Sequence, residues 1–221
     1  MNKQTGFTLI ELAIVLVIIG LLLGGVLRGQ ELINSAKVKN LANDFRTIPV
    51  YIYGYQDKFK ALPGDDKAAD THVGSIAGQN GNGNGALEGN WFDIKATNSE
   101  TYKFWQHVRL ANLAPGPTDV ANLDWRPTNA DGNPIGIMAG TNVAANSAML
   151  DIAGAAIKGS YIICSQGILG KYVTQLDTNI DDGNSTTGSM LAVKTNAPAA
   201  ALATAAGAID PAASYIVCYG V

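Results

Sequence analysis

An acidic side chain stands inside a run of residues that otherwise avoid water. From Phe7 to Leu27 the chain is apolar apart from Thr8, glycines and one carboxylate, Glu11. An ionised carboxylate in a membrane helix costs about 2.5–3.5 kcal/mol near the centre and less toward an end, so Glu11 asks for a cationic partner. The candidate is the α-amino group that a cut after Gly6 exposes on Phe7, in a neighbouring copy of the helix or one turn away in the same chain. Two cysteines, Cys164 in SYIICSQG and Cys218 in SYIVCYGV, sit in β-branched and aromatic runs. They form a disulfide if the domain lies outside the cytoplasm, and are two buried thiols otherwise. Asp177, Asp181, Asp182 and Asn184 cluster near one helix end. Asp177 and Asp181, one turn apart, either share a cation or are solvated acids, the second being the simpler reading. Asn80, Asn82 and Asn84 alternate with glycines and partly mimic a calcium loop, but Trp91 stands where a bidentate Glu is needed, so a plain loop is expected.

The elements that position these groups follow from periodicity. As a helix the 7–27 run is roughly 30 Å long, enough to cross a bilayer's hydrocarbon. Leu41, Phe45, Ile48, Ile52, Tyr55 and Phe59 then recur at helical spacing, which predicts an amphipathic continuation over 28–60. Gly24, Gly25 and Pro49 are candidate bends, and Leu62-Pro63-Gly64 ends the helix. A second helix is expected over SETYKFWQHVRLANL, capped by Asn98 or Ser99 and closed by Pro115, with His107 on its polar side. Neither His72 nor His107 has Cys, Asp or a second His at ligand spacing, so both read as surface residues. PIGIM, AMLDIAG, SYIICSQG, SMLAV and SYIVCYGV read as strands, ILGKYVTQLDTNI as a short helix, and the Ala-rich 195–213 segment as a surface excursion.

Composition limits the function. Residues 1–60 carry seven Lys/Arg against four Asp/Glu and the remainder eight against fourteen, so the distal part is acidic and no nucleic-acid partner is expected. No nucleophile elbow, P-loop, dinucleotide fingerprint or zinc-protease helix occurs, and the chain is read as a non-enzyme.

MNKQTGFTLIELAIVLVIIG resembles the signal sequence of type IV pilins and type II secretion pseudopilins: a short polar leader ending in Gly, then Phe, then Glu four residues on, inside an apolar helix. The resemblance covers about the first thirty residues, and Leu62-Pro63-Gly64-Asp65 looks like the loop after the long helix of many such proteins. It implies an α+β fold, a long N-terminal membrane-spanning helix laid on an antiparallel sheet of about four strands. It divides the chain into a leader (1–6), a transmembrane and assembly helix (7–27), its amphipathic continuation (28–60) and an extracytoplasmic head (61–221). It implies cleavage between Gly6 and Phe7 by a prepilin peptidase, N-methylation at Phe7, and pairing of Glu11 with the next subunit's amine. The implied partners are identical or related pilin subunits, the inner-membrane assembly machinery, and lipid before assembly; the implied location is the bacterial inner membrane and then a filament. Many pilins have Pro where Arg28 stands. The size of the head favours a type IV pilin or minor pilin over a compact major pseudopilin; a membrane-tethered binding module that never polymerises is the alternative from another class. Major pseudopilins often bind calcium near the C-terminus; here no cofactor is assigned, and Ca²⁺ stays an open reading.

Overall fold

A computed structural model describes residues 8–76, 78–93, 99–122, 125–140, 156–195 and 208–221. The expected strand AMLDIAG, Asn98, and most of the Ala-rich 195–213 segment lie outside these residues. The chain divides into two compact units, Met1–Lys37 and Val38–Val221.

Helix α1, Leu9–Phe59, runs through Gly24, Gly25 and Pro49 without interruption, so none of the three breaks it. Pro49 costs one backbone bond, an amount that a helix of this length and burial outlasts. Within the first unit no described side chain is buried, and Leu9, Leu16, Leu21 and Leu27 are each more than 60% exposed. In the second unit the α1 stripe is buried as its spacing requires: Leu41, Phe45, Ile52 and Tyr55 have no exposed surface and Ile48 almost none. At Lys60 the backbone turns left-handed (φ 54°), one residue past the helix and before Pro63.

The sheet has four antiparallel strands in the order β1-β2-β4-β3: β1 Ile135–Ala139, β2 Tyr161–Leu169, β3 Met190–Lys194 and β4 Ser214–Gly220. Alternation puts Ile137, Ile163, Ala192 and Val217 on the face packed against α1, while Met138, Ile162, Cys164, Leu191 and Cys218 form a second core on the other face with Trp91. The strand from SYIICSQG extends two residues beyond its expected end. A register shift between Ser165 and Ile168 lets β2 reach Leu169 before the chain enters its helix.

Three helices complete the described head. A single turn, α2, covers Ala69–His72; α3 covers Glu100–Leu110 and α4 Gly170–Ile180. Asn112, not Pro115, closes α3. It adopts φ 59°, and the amides of Asn112 and Leu113 donate to the carbonyls of Arg109 and Val108, a Schellman ending with Asn in the left-handed position. Ser99 stands at the N-cap of α3, but its hydroxyl pairs with Thr101 Oγ1 instead of capping a backbone amide.

Candidate assembly site

Glu11 lies in the first turn of α1, and its surroundings give it a local role the sequence reading did not include. Thr8 N and Thr8 Oγ1 both donate to Glu11 Oε2 at 2.8 Å, while Glu11 N donates to Thr8 Oγ1 at 3.3 Å. This is a capping box, Thr-x-x-Glu, in which N-cap and N3 side chains satisfy each other's backbone donors. The signal was present in Thr8-Leu9-Ile10-Glu11. A carboxylate here is favoured by the positive end of the helix dipole as well. Both hydrogen bonds fall on one carboxylate oxygen, so the capping role does not exhaust what Glu11 can accept. Gly6 and Phe7 lie outside the described residues.

Cys164 and Cys218 face each other across β2 and β4 and are joined in a disulfide, 54 residues apart in sequence. Both are completely buried.

The head holds more buried polar chemistry than its composition suggests. His107 is not on a solvated face. It is fully buried, with Gly64 N donating to its Nδ1 at 2.9 Å and its Nε2 donating to Gln79 O at 2.8 Å. Burial holds the ring below the ordinary histidine range, and the two bonds fix it as the neutral Nε2–H tautomer. His72 is exposed, as expected of a surface residue, but it has an acidic partner: its Nδ1 lies 2.7 Å from Asp66 Oδ2, which accepts from Tyr55 Oη at the same distance. Burial pushes Asp66 up, but the bonds from His72, Tyr55 and Ala68 N outweigh it and hold the carboxyl below its usual range. These residues tie the loop after α1 to the helix itself.

The whole circumference of α3 from Glu100 to Arg109 is buried, so its polar face serves as a set of handles for two loops. Glu100 accepts from Asn82 N and Glu88 N at 3.0 Å each, and Lys103 Nζ donates to Asn80 O at 2.9 Å. On the other side Arg109 donates to the carbonyls of Pro115, Pro117 and Trp125 and lies 5.0 Å from the Trp125 ring. Arg109 also walls a cleft of about 380 Å³ with Asp44 and Tyr51, but its guanidinium is engaged with backbone there.

The two candidate cation sites behave differently. In the Asn loop the amide oxygens are spent on the chain: Asn80 Oδ1 accepts from Asp70 N and Ser75 Oγ, Asn82 Oδ1 from Asn84 N, and Asn84 Oδ1 from Ala86 N. Each of these oxygens is engaged by a donor of the loop or its neighbours, the pattern of side-chain-stabilised turns. Near the end of α4, one oxygen each from Asp177, Asp181 and Asp182 lies within 4.8 Å of the others. Asp177 is fully buried rather than solvated; Gly183 N donates to its Oδ1 at 2.9 Å, and among the described residues no donor meets Oδ2. Burial, with Asp182 and Asp181 adding like charge, pushes this carboxyl up to about 6 against the Gly183 bond. In charge and reach the three carboxylates fit a small divalent ion, although Asp181 Oδ2 already accepts from Ser189 N and Met190 N and Asp182 from Asn184 N and Thr187 Oγ1.

The long apolar helix followed by a four-stranded antiparallel sheet is an α+β layout of pilin type. Residues 1–27 match the family model described as the prokaryotic N-terminal methylation motif, the prepilin-type signal of type IV pilins and pseudopilins. No curated protein and no solved structure matches the chain. A motif of this type implies processing by prepilin peptidase and assembly with other pilin subunits in general. With a helix long and apolar enough to cross a membrane, it is consistent with inner-membrane anchoring.

Proposed function

We propose that this chain is a structural subunit of a type IV pilus-like filament. It waits in the inner membrane as a prepilin, is cut after Gly6 and N-methylated at Phe7, and polymerises through its N-terminal helix, Glu11 receiving the amine of a neighbouring copy. The carrying observation is the combination within the matched motif of an apolar helical segment whose described side chains are all exposed and a carboxylate in its first turn. Apolar surface of this kind passes from lipid to packing against like helices without first entering water. The Cys164–Cys218 disulfide supports a head outside the cytoplasm, in an oxidising compartment. A secretion pseudopilus or a minor-pilin position uses the same helix chemistry; the size of the head favours a pilus.

The capping box makes the test sharper than an alanine exchange. Glu11→Ala removes charge and cap together, whereas Glu11→Gln keeps an N3 side chain able to close the box and removes only the charge. Both variants are expected to remain membrane-inserted and to drop out of sheared filaments. A Glu11→Gln chain that assembles like the wild type sinks the ion-pair reading, and indifference to both substitutions favours the tethered, non-polymerising module.

A further inference from the structure

The Asn-Gly run contains a chemistry that the assembly reading does not use. In Asn80-Gly81, Asn82-Gly83 and Asn84-Gly85 the glycine nitrogen can attack the preceding asparagine's Cγ once it loses its proton. The new C–N bond closes a succinimide, ammonia leaves with the Cγ–Nδ2 bond, and water opens the ring to Asp or iso-Asp. Glycine is the most permissive successor because no Cβ shields its nitrogen.

The attack requires a nitrogen that can give up its proton, and here all three are donors. Gly81 N donates to the backbone carbonyl of Asp66 at 2.9 Å. Gly83 N is shared between the carbonyl of Asp65 at 2.9 Å and its Oδ1 at 2.6 Å. Gly85 N donates to Asp65 Oδ2 at 2.7 Å and to no backbone oxygen among the described residues. Asp65 itself is 3% exposed, and the loop lies so close that a Cβ on Gly81 would meet the Asp65 backbone at 2.2 Å. A buried carboxylate holding an N–H opposes its ionisation, because the anion that would form faces another anion. Glu88 further restrains the side chains, accepting from Asn82 Nδ2 at 3.0 Å and from Asn84 Nδ2 at 2.9 Å.

We propose that Asn84-Gly85 is a latent deamidation site kept silent by the Asp65 carboxylate. The geometry ranks the three pairs. Loss of the carboxylate strips Gly85 N of its acceptor, leaves Gly83 N one backbone bond and does not touch the bond of Gly81 N. Conversion of Asn84 would add a negative charge beside Asp65 and Glu88, inside a loop on which α3 depends.

The test incubates the full-length chain in detergent at mildly alkaline pH and scores each pair by peptide mapping with mass spectrometry and isoaspartate detection, with the denatured chain as reference. The folded wild type is expected to keep all three amides while the denatured chain converts them. Asp65→Ala is expected to speed Asn84 roughly ten- to a hundredfold, the kinetic equivalent of one lost charged hydrogen bond, with Asn82 behind it and Asn80 unchanged. Asn84 converting as fast in the folded wild type as in the denatured chain overturns the proposal, and so does an Asp65→Ala chain that converts no faster than wild type. If all three convert together in Asp65→Ala because the loop has opened, Asp65→Asn decides. It keeps the shape and removes the charge, so acceleration confined to Asn84 supports the proposal and uniform or absent acceleration overturns it.

Discussion

Replacing Asp177 by Asn removes a charge from a place that has no water to solvate it, and the head should become more stable at neutral pH. Folding raises this carboxyl from 3.8 to about 6, chiefly by burial. A carboxyl raised on folding binds its proton more tightly in the native state, so its contribution is complete below about pH 4 and lost as pH rises through about 6. The gap between the two values amounts to about 2–3 kcal/mol at pH 7. The Asn carbonyl retains the Gly183 bond, and its NH₂ stands where the orphaned Oδ2 was, beside the carboxylates of Asp181 and Asp182. For a domain of this size such a change corresponds to a rise in Tm of roughly 5–10 °C. Tryptophan fluorescence reads the melt without interference from the membrane helix, because Trp91, Trp105 and Trp125 all belong to the second unit. Melts of the full chain in detergent between pH 4 and 8 should show a loss of stability through pH 6 in the wild type that the variant lacks, the slope from other shifted groups such as His107 being common to both. Equal pH slopes in the two chains would contradict this. A rise in wild-type Tm on adding calcium at pH 7, absent from Asp177→Asn, would place a cation among Asp177, Asp181 and Asp182.

Two further outcomes follow from the head. Replacing Cys164 and Cys218 by Ser should cost about 4 kcal/mol by the chain-entropy model for a 54-residue separation, read as a lower urea midpoint; an unchanged midpoint contradicts it. Arg109→Lys keeps the charge but not the fork that reaches three carbonyls, and should lower stability by about 1–3 kcal/mol and increase amide exchange over residues 115–125; unaltered exchange there would show that the fork is not what holds that loop.

The parts of the fold written in the sequence are those where one residue type repeats at one period. Leu41 through Phe59 announces the stripe that packs on the sheet, and the runs around Cys164 and Cys218 announce β2 and β4, whose pairing brings the cysteines opposite each other. What could not be read is set by loops that wrap an element from outside. An amphipathic pattern implies one wet face, but α3 is covered on that face by residues 78–90, 115–122 and Trp125, which is why His107 is buried against expectation and Glu100 and Arg109 are buried with it. Asp65 and Asp66 were visible only as part of a turn, since their partners lie in the Asn-Gly loop and on α1 and α2. At the assembly site the reverse holds: Thr8-x-x-Glu11 is a local signal, legible without any tertiary contact.

In the proposed function this chain is cut and then polymerised through its first helix. The deciding measurement is mass spectrometry of the N-terminal peptide from filaments sheared off cells and seen by electron microscopy. Subunits in that material are expected to begin at a methylated Phe7. A chain recovered only with Met1 to Gly6 still attached, and only in membranes, would contradict it.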